Sequence, residues 1–329
     1  MSMLSRSRKS EVSRLRRTTA SQGGRRNRGA ALLLALWALF LLSAMVIGWA
    51  LNINSRLVVS SNANRVLEAE AMASSGADVA LSQEITPSSP NLHRQMGDGE
   101  GYDVRITGEC GRLNLNFLVQ GEDPNKLRIL RQYLSLKGID LNDLDGMMDS
   151  LLDWVSPNRG LHHLNACPET DNYHPAHAPL ASVDELKKIC GWAGFTSKPG
   201  WDNDFTVVGA CGAIDLAYAS RDVLRALGIP DDFVDRFLQL RQGPDGIDGT
   251  ADDTPLDQQT AFITLGLAAA QSQQANPIQN LIVFKSPIAV FRVLSAGKSR
   301  DVTRSVEMVV QKQGQQGIGR PRVFSWKEL

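Results

Sequence analysis

The sequence predicts an α+β fold: a long N-terminal helix, half membrane span and half stalk, packed on an antiparallel sheet that carries a large α-helical insertion. Three observations carry this expectation. Residues 29–51 form a run of 23 without one charged side chain, and it continues without proline into an amphipathic stretch. Segments alternating with period two stand near residue 102 and again beyond residue 280. Between them lies a region of helical periodicity built on an internal repeat.

The apolar run matches the roughly 20 residues a helix needs to cross about 30 Å of hydrocarbon. It is longer than the core helix of an ordinary soluble domain. It also exceeds the apolar stretch of about 7–15 residues of a cleaved secretory signal. The 329 residues balance 35 basic against 35 acidic side chains, but unevenly. Residues 1–28 hold nine cations (Arg6, Arg8, Lys9, Arg14, Arg16, Arg17, Arg25, Arg26 and Arg28) against Glu11 alone. The rest keeps 26 basic and 34 acidic residues, a net charge of −8. A basic tail before a membrane span stays on the cytoplasmic side, so the body is exported. An acidic body also argues against nucleic acid as its partner, because phosphate binding needs a cationic face. Residues 52–84 place Ile53, Leu57, Val58, Leu67, Ala71, Ala77 and Leu81 among polar neighbours, and the first proline is Pro87. One helix over residues 30–84 is therefore expected, its exported half a stalk that packs beside other helices.

Residues 87–101 are rich in turn formers and should end that helix. Tyr102 to Ile106 alternate as a strand, and residues 111–116 read as a second, joined to the first as a hairpin through residues 108–111. The repeat is Gly-Glu-Cys-Gly-Arg-Leu-Asn-Leu at 108–115, recurring as Gly-Ala-Cys-Gly-Ala-Ile-Asp-Leu at 209–216, an offset of 101. Each copy leads into two helices around a short turn: 127–136 and 144–154 around Gly138 and Ile139, then 222–227 and 233–240 around Gly228, Ile229 and Pro230. Strands are expected again at 280–284, 288–295 and 305–311 as an antiparallel meander, with a turn at 296–301. Residues 323–326 should add an edge strand, and residues 271–275 and 311–319 read as exposed connections.

Residues 26–37, Arg-Asn-Arg-Gly-Ala-Ala-Leu-Leu-Leu-Ala-Leu-Trp, resemble the type III signal cut by prepilin peptidase. The helix-then-hairpin opening resembles a pilin-like fold. By that resemblance the cut falls between Gly29 and Ala30, and Ala30 becomes the N-methylated terminus. The fifth mature residue, a glutamate in most pilins and pseudopilins, is Leu34 here. Loss of that glutamate resembles the minor pseudopilin K family of type II secretion. Asp153 and Trp154, and the segment 181–191 with Ser182, Glu185, Cys190 and Gly191, resemble further motifs of that family. Ser182 with Glu185 also reads as a capping box. The resemblance spans nearly everything after Gly24. It implies a leader at 1–29, a transmembrane helix at 30–51, a stalk helix and first strands at 52–117, an inserted helical domain at 118–254, and the last part of the sheet at 255–329. It further implies a single-pass inner-membrane protein at the tip of a periplasmic fibre. Its partners would be the I- and J-type minor pseudopilins and prepilin peptidase. The repeated helical pairs also resemble helix-hairpin-helix DNA binders, but Asp140, Asp143 and Asp145, with Asp231, Asp232 and Asp235, would repel phosphates there.

Residues 243–253 set Asp245, Asp248, Asp252 and Asp253 among glycines, an arrangement that could wrap calcium with help from a carbonyl such as Ile247 or Thr250. The spacing is not that of an EF-hand, and a solvated Asp-Gly turn is the plainer reading. His162, His163, His174 and His177 cluster near Cys167 and Cys190 without the spacing of a zinc site. Glu169, Asp171 and Tyr173 in the same loop match the family resemblance, which makes the loop structural. The four cysteines allow three connectivities in an oxidising compartment. A Cys167–Cys190 bridge closing the histidine loop is favoured over zinc and leaves Cys110 with Cys211, the cysteines at equivalent places in the repeat. Serines lack a nucleophile elbow, and the Gly297-Lys298-Ser299 segment lacks the upstream glycine of a phosphate loop, so no enzyme is expected. An exported metal-dependent enzyme is the third class, behind DNA binding.

Overall fold

The structure, a computed structural model, describes residues 26–329 except 98, 160–162, 249, 251, 268–277 and 313–319. The leader up to residue 25, His162, the connection at 271–275 and most of that at 311–319 lie outside the described residues. The described residues fall into two compact units, one ending at Ala63 and the other starting at Asn64.

Helix α1, Arg26–Ala80, contributes to both. In the first unit it is rich in leucine and alanine, which lose little on entering a helix, and the large apolar side chains from Leu32 to Val59 are exposed. This stretch is long and apolar enough to cross a membrane.

In the second unit the same helix buries a different kind of residue. Ala69, Ala73, Ala77 and Ala80 are fully buried with Gly76, whereas Leu67 is 63% exposed and Ala71 faces solvent. The stalk's buried face is thus its small residues; of the apolar positions read from the sequence it includes Ala77 but not Leu67 or Ala71. The cause is close approach to the sheet: a Cβ on Gly297 would lie 2.1 Å from the Ala69 carbonyl oxygen. The helix stops at Ala80 rather than near Glu84. Lys312 Nζ donates to the carbonyls of Ser82 (3.0 Å) and Ile85 (2.8 Å) and holds the chain in turns there. Burial pushes the Lys312 ammonium down to about 8.

The sheet is β1 (His93–Met96), β2 (Glu100–Gly108), β7 (Val290–Ser299), β8 (Val302–Gln311) and β9 (Arg322–Glu328), antiparallel in that order. β1 lies inside the segment expected to be only turns and forms the first hairpin with β2, which contains the expected Tyr102–Ile106 strand, while the expected second strand shrinks to β3, Leu113–Asn114. Asn114 accepts from the Phe117 amide (3.2 Å) and starts helix α2, Leu115–Val119, so the chain leaves the extended state. Tyr102, Val104 and Ile106 of β2, with Val293, Val306, Met308 and Val310, form one core with the small face of α1. β7 runs straight through Gly297 to Ser299, which shortens the expected turn to Arg300 and Asp301.

Between β2 and β7 the helical body is inserted. Helices α3 (Pro124–Leu136) and α4 (Leu141–Val155) belong to the first copy of the repeat. After them come a 3-10 turn at Val183–Lys188 and the short α5 (Ala193–Thr196). Ser182 caps that turn by accepting from the Asp184 amide, while Glu185 accepts from Ala181, one residue away from the expected capping box on both sides. The chain then closes back as β4 (Phe205–Thr206), parallel to β3. The second copy repeats the plan. Short strand β5 (Ile214–Asp215) leads to α6 (Arg221–Ala226), α7 (Asp231–Gln242) and α8 (Gln258–Thr264). It is joined in parallel by β6 (Ile282–Val283). The segment expected to open the meander is therefore part of the second copy. Leu130, Leu134, Met147, Leu151, Trp192 and Phe237 are among the side chains of the body's own large core, each fully buried aliphatic worth about 1.5–3 kcal/mol.

Candidate functional site

Within α1, Gly29, Ala30 and Leu34 are exposed, Leu34 at 71%. A leucine has no charge to offer a neighbouring terminus, so the face at this level contributes contact area only.

Where the body leaves and rejoins the sheet, buried ions join the two. Glu109, 1% exposed, accepts two hydrogen bonds from Arg292 of β7, Nε at 2.8 Å and Nη2 at 2.9 Å. Arg292 also reaches Glu307 of β8, and Arg112 closes on Glu109 at 3.4 Å. Burial disfavours the Arg292 charge, but the Glu109 hydrogen bonds together with the charges of Glu109, Glu307 and Asp202 outweigh it and hold the pKa above the ordinary arginine value. Burial, then repulsion from Arg292, pulls Arg112 below it. These partners are 183 residues apart, and no sequence signal announces them.

The structure pairs Cys110 with Cys211 and Cys167 with Cys190. The first bridge joins equivalent positions of the two repeats and packs with Val290 and Val309 on the sheet. The second closes the histidine loop by joining Cys167 to Cys190, and hydrogen bonds hold the loop on α4. Amides of His163, Asn165 and Cys167 donate to Asp153, Asp149 and Ser150 of that helix. His163 Nδ1 lies 2.5 Å from Asp153 and its Nε2 3.4 Å from Glu122. Burial lowers the His163 pKa, but its hydrogen bonds to the Asp153 and Glu122 carboxylates, with their charges, prevail and raise it. His174 pairs with Glu169, and His177 with the Ser156 carbonyl, so the described histidines each have separate partners.

The aspartate loop is closed by its own contacts. Asp248 accepts from Arg241 Nε (2.8 Å) and Nη2 (2.9 Å) and from Gln242 (2.9 Å). Asp252 accepts from the Asp245 amide (3.1 Å) and the Thr250 hydroxyl (2.6 Å), and Asp253 lies 3.5 Å from that hydroxyl. Among the described residues no three His, Cys, Asp or Glu side chains converge where a metal ion could be held. Among the described residues, Asp245, Asp248, Asp252 and Asp253 each take a hydrogen bond from Ile247, Arg241, Gln242, Thr250 or the Asp245 amide.

One concave feature was not anticipated. A cleft of about 780 Å³ lies between α2 and the end of α4, walled by Phe117, Val119, Leu152, Val155 and Pro179. Glu122 stands in its lining with φ +51° and is the only acidic or basic side chain of that wall among the described residues. Gly209 and Gly212, next to Cys211, present bare main chain to it. The signal that could have located it is the offset of 101, which sets Phe117 against Tyr218.

No protein-family model matches the sequence, and no curated protein matches it. Among solved structures, the fold matches a chain of the GspK-GspI-GspJ complex from the enterotoxigenic Escherichia coli type 2 secretion system, with a TM-score of 0.56 and 14% identity. The match covers 84% of this chain and 99% of that one. The expected fold class, a pilin-like helix on an antiparallel sheet with a helical insertion, is the one observed.

Proposed function

We propose that this chain is a K-type minor pseudopilin that stands at the tip of a type II secretion pseudopilus, where it starts and limits fibre assembly with I- and J-type minor pseudopilins during protein export. The observation that carries this reading is the combination of a pilin-like helix-on-sheet unit with a large body inserted between β2 and β7. The matched complex contains GspK, GspI and GspJ, which supports the same class of partner here.

In a fibre of parallel helices, each subunit needs a neighbour above it to cover its stalk and to receive its acidic fifth residue. Leu34 gives no such charge, and an inserted body of this size obstructs a subunit stacked above. Both favour the topmost place. The anchor crosses the inner membrane, the basic tail facing the cytoplasm until prepilin peptidase cuts between Gly29 and Ala30 and the new Ala30 terminus is methylated. Two disulfides agree with a periplasmic body. The mechanism is assembly and contact, not catalysis.

Co-expression of the full chain with I- and J-type partners, followed by detergent extraction, tests it. The three chains are expected to co-purify as one complex, with N-methylalanine at position 30 by mass spectrometry. Absence of the ternary complex, with cleavage at a signal-peptidase site on the outer side of the span, would overturn it.

A further inference from the structure

The two copies of the repeat make a contact in one direction and omit it in the other. Tyr218 of the second copy covers Gly108 and Gly111 of the first: a Cβ on Gly108 would lie 2.1 Å from the Tyr218 ring, and one on Gly111 2.4 Å from its backbone. At the offset of 101, Phe117 corresponds to Tyr218, and Gly209 and Gly212 correspond to the covered glycines. Those three residues line the cleft of about 780 Å³, yet nothing lies within 4 Å of a Cβ built on either glycine.

The space beside Tyr218 measures about 350 Å³ and is lined by Arg241 and Asp248. There the guanidinium answers the carboxylate within the chain. In the larger cleft Glu122 faces no arginine or lysine of the lining, and its partner is the His163 ring, which lies outside that lining. The Glu122 side chain is 52% exposed and 3.4 Å from His163, a long contact for a charged pair. Lys126 lies over the Phe117 ring at 4.0 Å but outside the lining.

We propose that this cleft binds an extended segment of a partner protein that presents an aromatic or large apolar side chain beside an arginine or lysine. The apolar side chain lies against Phe117 and the bare main chain of Gly209 and Gly212, as Tyr218 lies on Gly108 and Gly111. The cation meets Glu122, supplying what Arg241 supplies to Asp248. A volume of about 780 Å³ exceeds what one ring fills, and exposed glycine backbone offers peptide groups that an extended chain can pair with. An aromatic anchor next to an arginine in a desolvated pocket is also where interface energy concentrates. The inference is independent of the tip reading, since a chain with no place in a secretion fibre would keep the same cleft.

Fluorescence anisotropy with the full chain in nanodiscs tests it, using labelled blocked peptides of sequence Ala-Leu-Phe-Arg-Ala, Ala-Leu-Phe-Gln-Ala and Ala-Leu-Phe-Glu-Ala. The arginine peptide should bind about tenfold more tightly than the other two. Glu122→Gln should erase that preference, and Gly209→Leu, which fills open space, should weaken all three about tenfold with the unfolding midpoint unchanged. Equal affinity for the three peptides, no binding to any, or full binding retained by Gly209→Leu would overturn it.

Discussion

The two copies of the repeat share a local plan and differ in what they do with it. Each opens on a Gly-Xaa-Cys-Gly motif, forms a two-residue parallel strand, and folds two helices around a glycine turn. At the equivalent anchor the first copy has Asn114, whose Nδ2 donates to the Val208 (2.7 Å) and Cys211 (2.9 Å) carbonyls. The second has Asp215, which accepts from the amides of Ala217 (3.0 Å), Lys285 (2.8 Å) and Ser286 (2.6 Å). Burial pushes the Asp215 carboxyl up against those hydrogen bonds. The segment leaving the second helix is also pinned with opposite polarity. Acids on α4 hold His163 and its loop, whereas Arg241 on α7 holds the acid Asp248 of its loop. One motif thus serves two environments, because its geometry is set by backbone and its chemistry by one or two exchangeable side chains.

The largest break in this comparison is expected from the bridge that ties the copies together. Replacing both Cys110 and Cys211 by serine releases a crosslink spanning 101 residues and should cost about 4–5 kcal/mol in denaturant unfolding. The same change at Cys167 and Cys190, 23 residues apart, should cost about 3 kcal/mol. A smaller loss for the inter-repeat bridge than for the loop bridge would mean that the copies are held together by packing alone.

Exchanging the anchors sharpens the difference between them. Asn114→Asp removes both donors and faces a buried carboxylate with two carbonyls, a loss of about 3 kcal/mol. Asp215→Asn keeps an acceptor and gives up part of the amide cradle, a loss of about 1–2 kcal/mol. Thermal unfolding of the two variants measures the order, and equal losses would mean that the anchors are interchangeable.

The smallest effect concerns pH. The His163 pKa is raised in the folded state, so its contribution is fully present below the unfolded histidine value near 6.5 and is lost as pH rises through the folded value. Hydrogen exchange of the Asn165 and Cys167 amides should therefore quicken relative to the α7 amides between pH 6 and 8, by less than about 1 kcal/mol of local stability. His163→Gln should flatten that dependence while Arg241→Gln leaves it in place. A pH response of the same size at both loops would break the polarity argument.

Much of this architecture was readable from pattern. The uncharged run, the period-two strands and the turn glycines Gly138 and Gly228 are local signals, because periodicity and φ > 0 are properties of the chain itself. The stalk face was legible only in part, at Ala77 and not at Leu67, for a physical reason. Hydropathy ranks Leu67 above Ala73, but a backbone approach as close as that between α1 and Gly297 admits only small side chains. The hairpin misplaced onto residues 111–116 shows the same limit, since Asn114 serves equally as a strand end and as a helix cap.

By itself the sequence determined a long apolar helix at the N-terminus, the position of the repeat, and the residues whose resemblance suggested a pilin-like fold. Tertiary structure decided that Glu109 would meet Arg292, that small residues would face the sheet, and that Tyr218 would cover Gly108 and Gly111 while Gly209 and Gly212 stayed open to a cleft. The division has one cause. Hydrophobic period and turn chemistry act within a few residues, whereas burial, ion pairing and close packing depend on which distant segments come together.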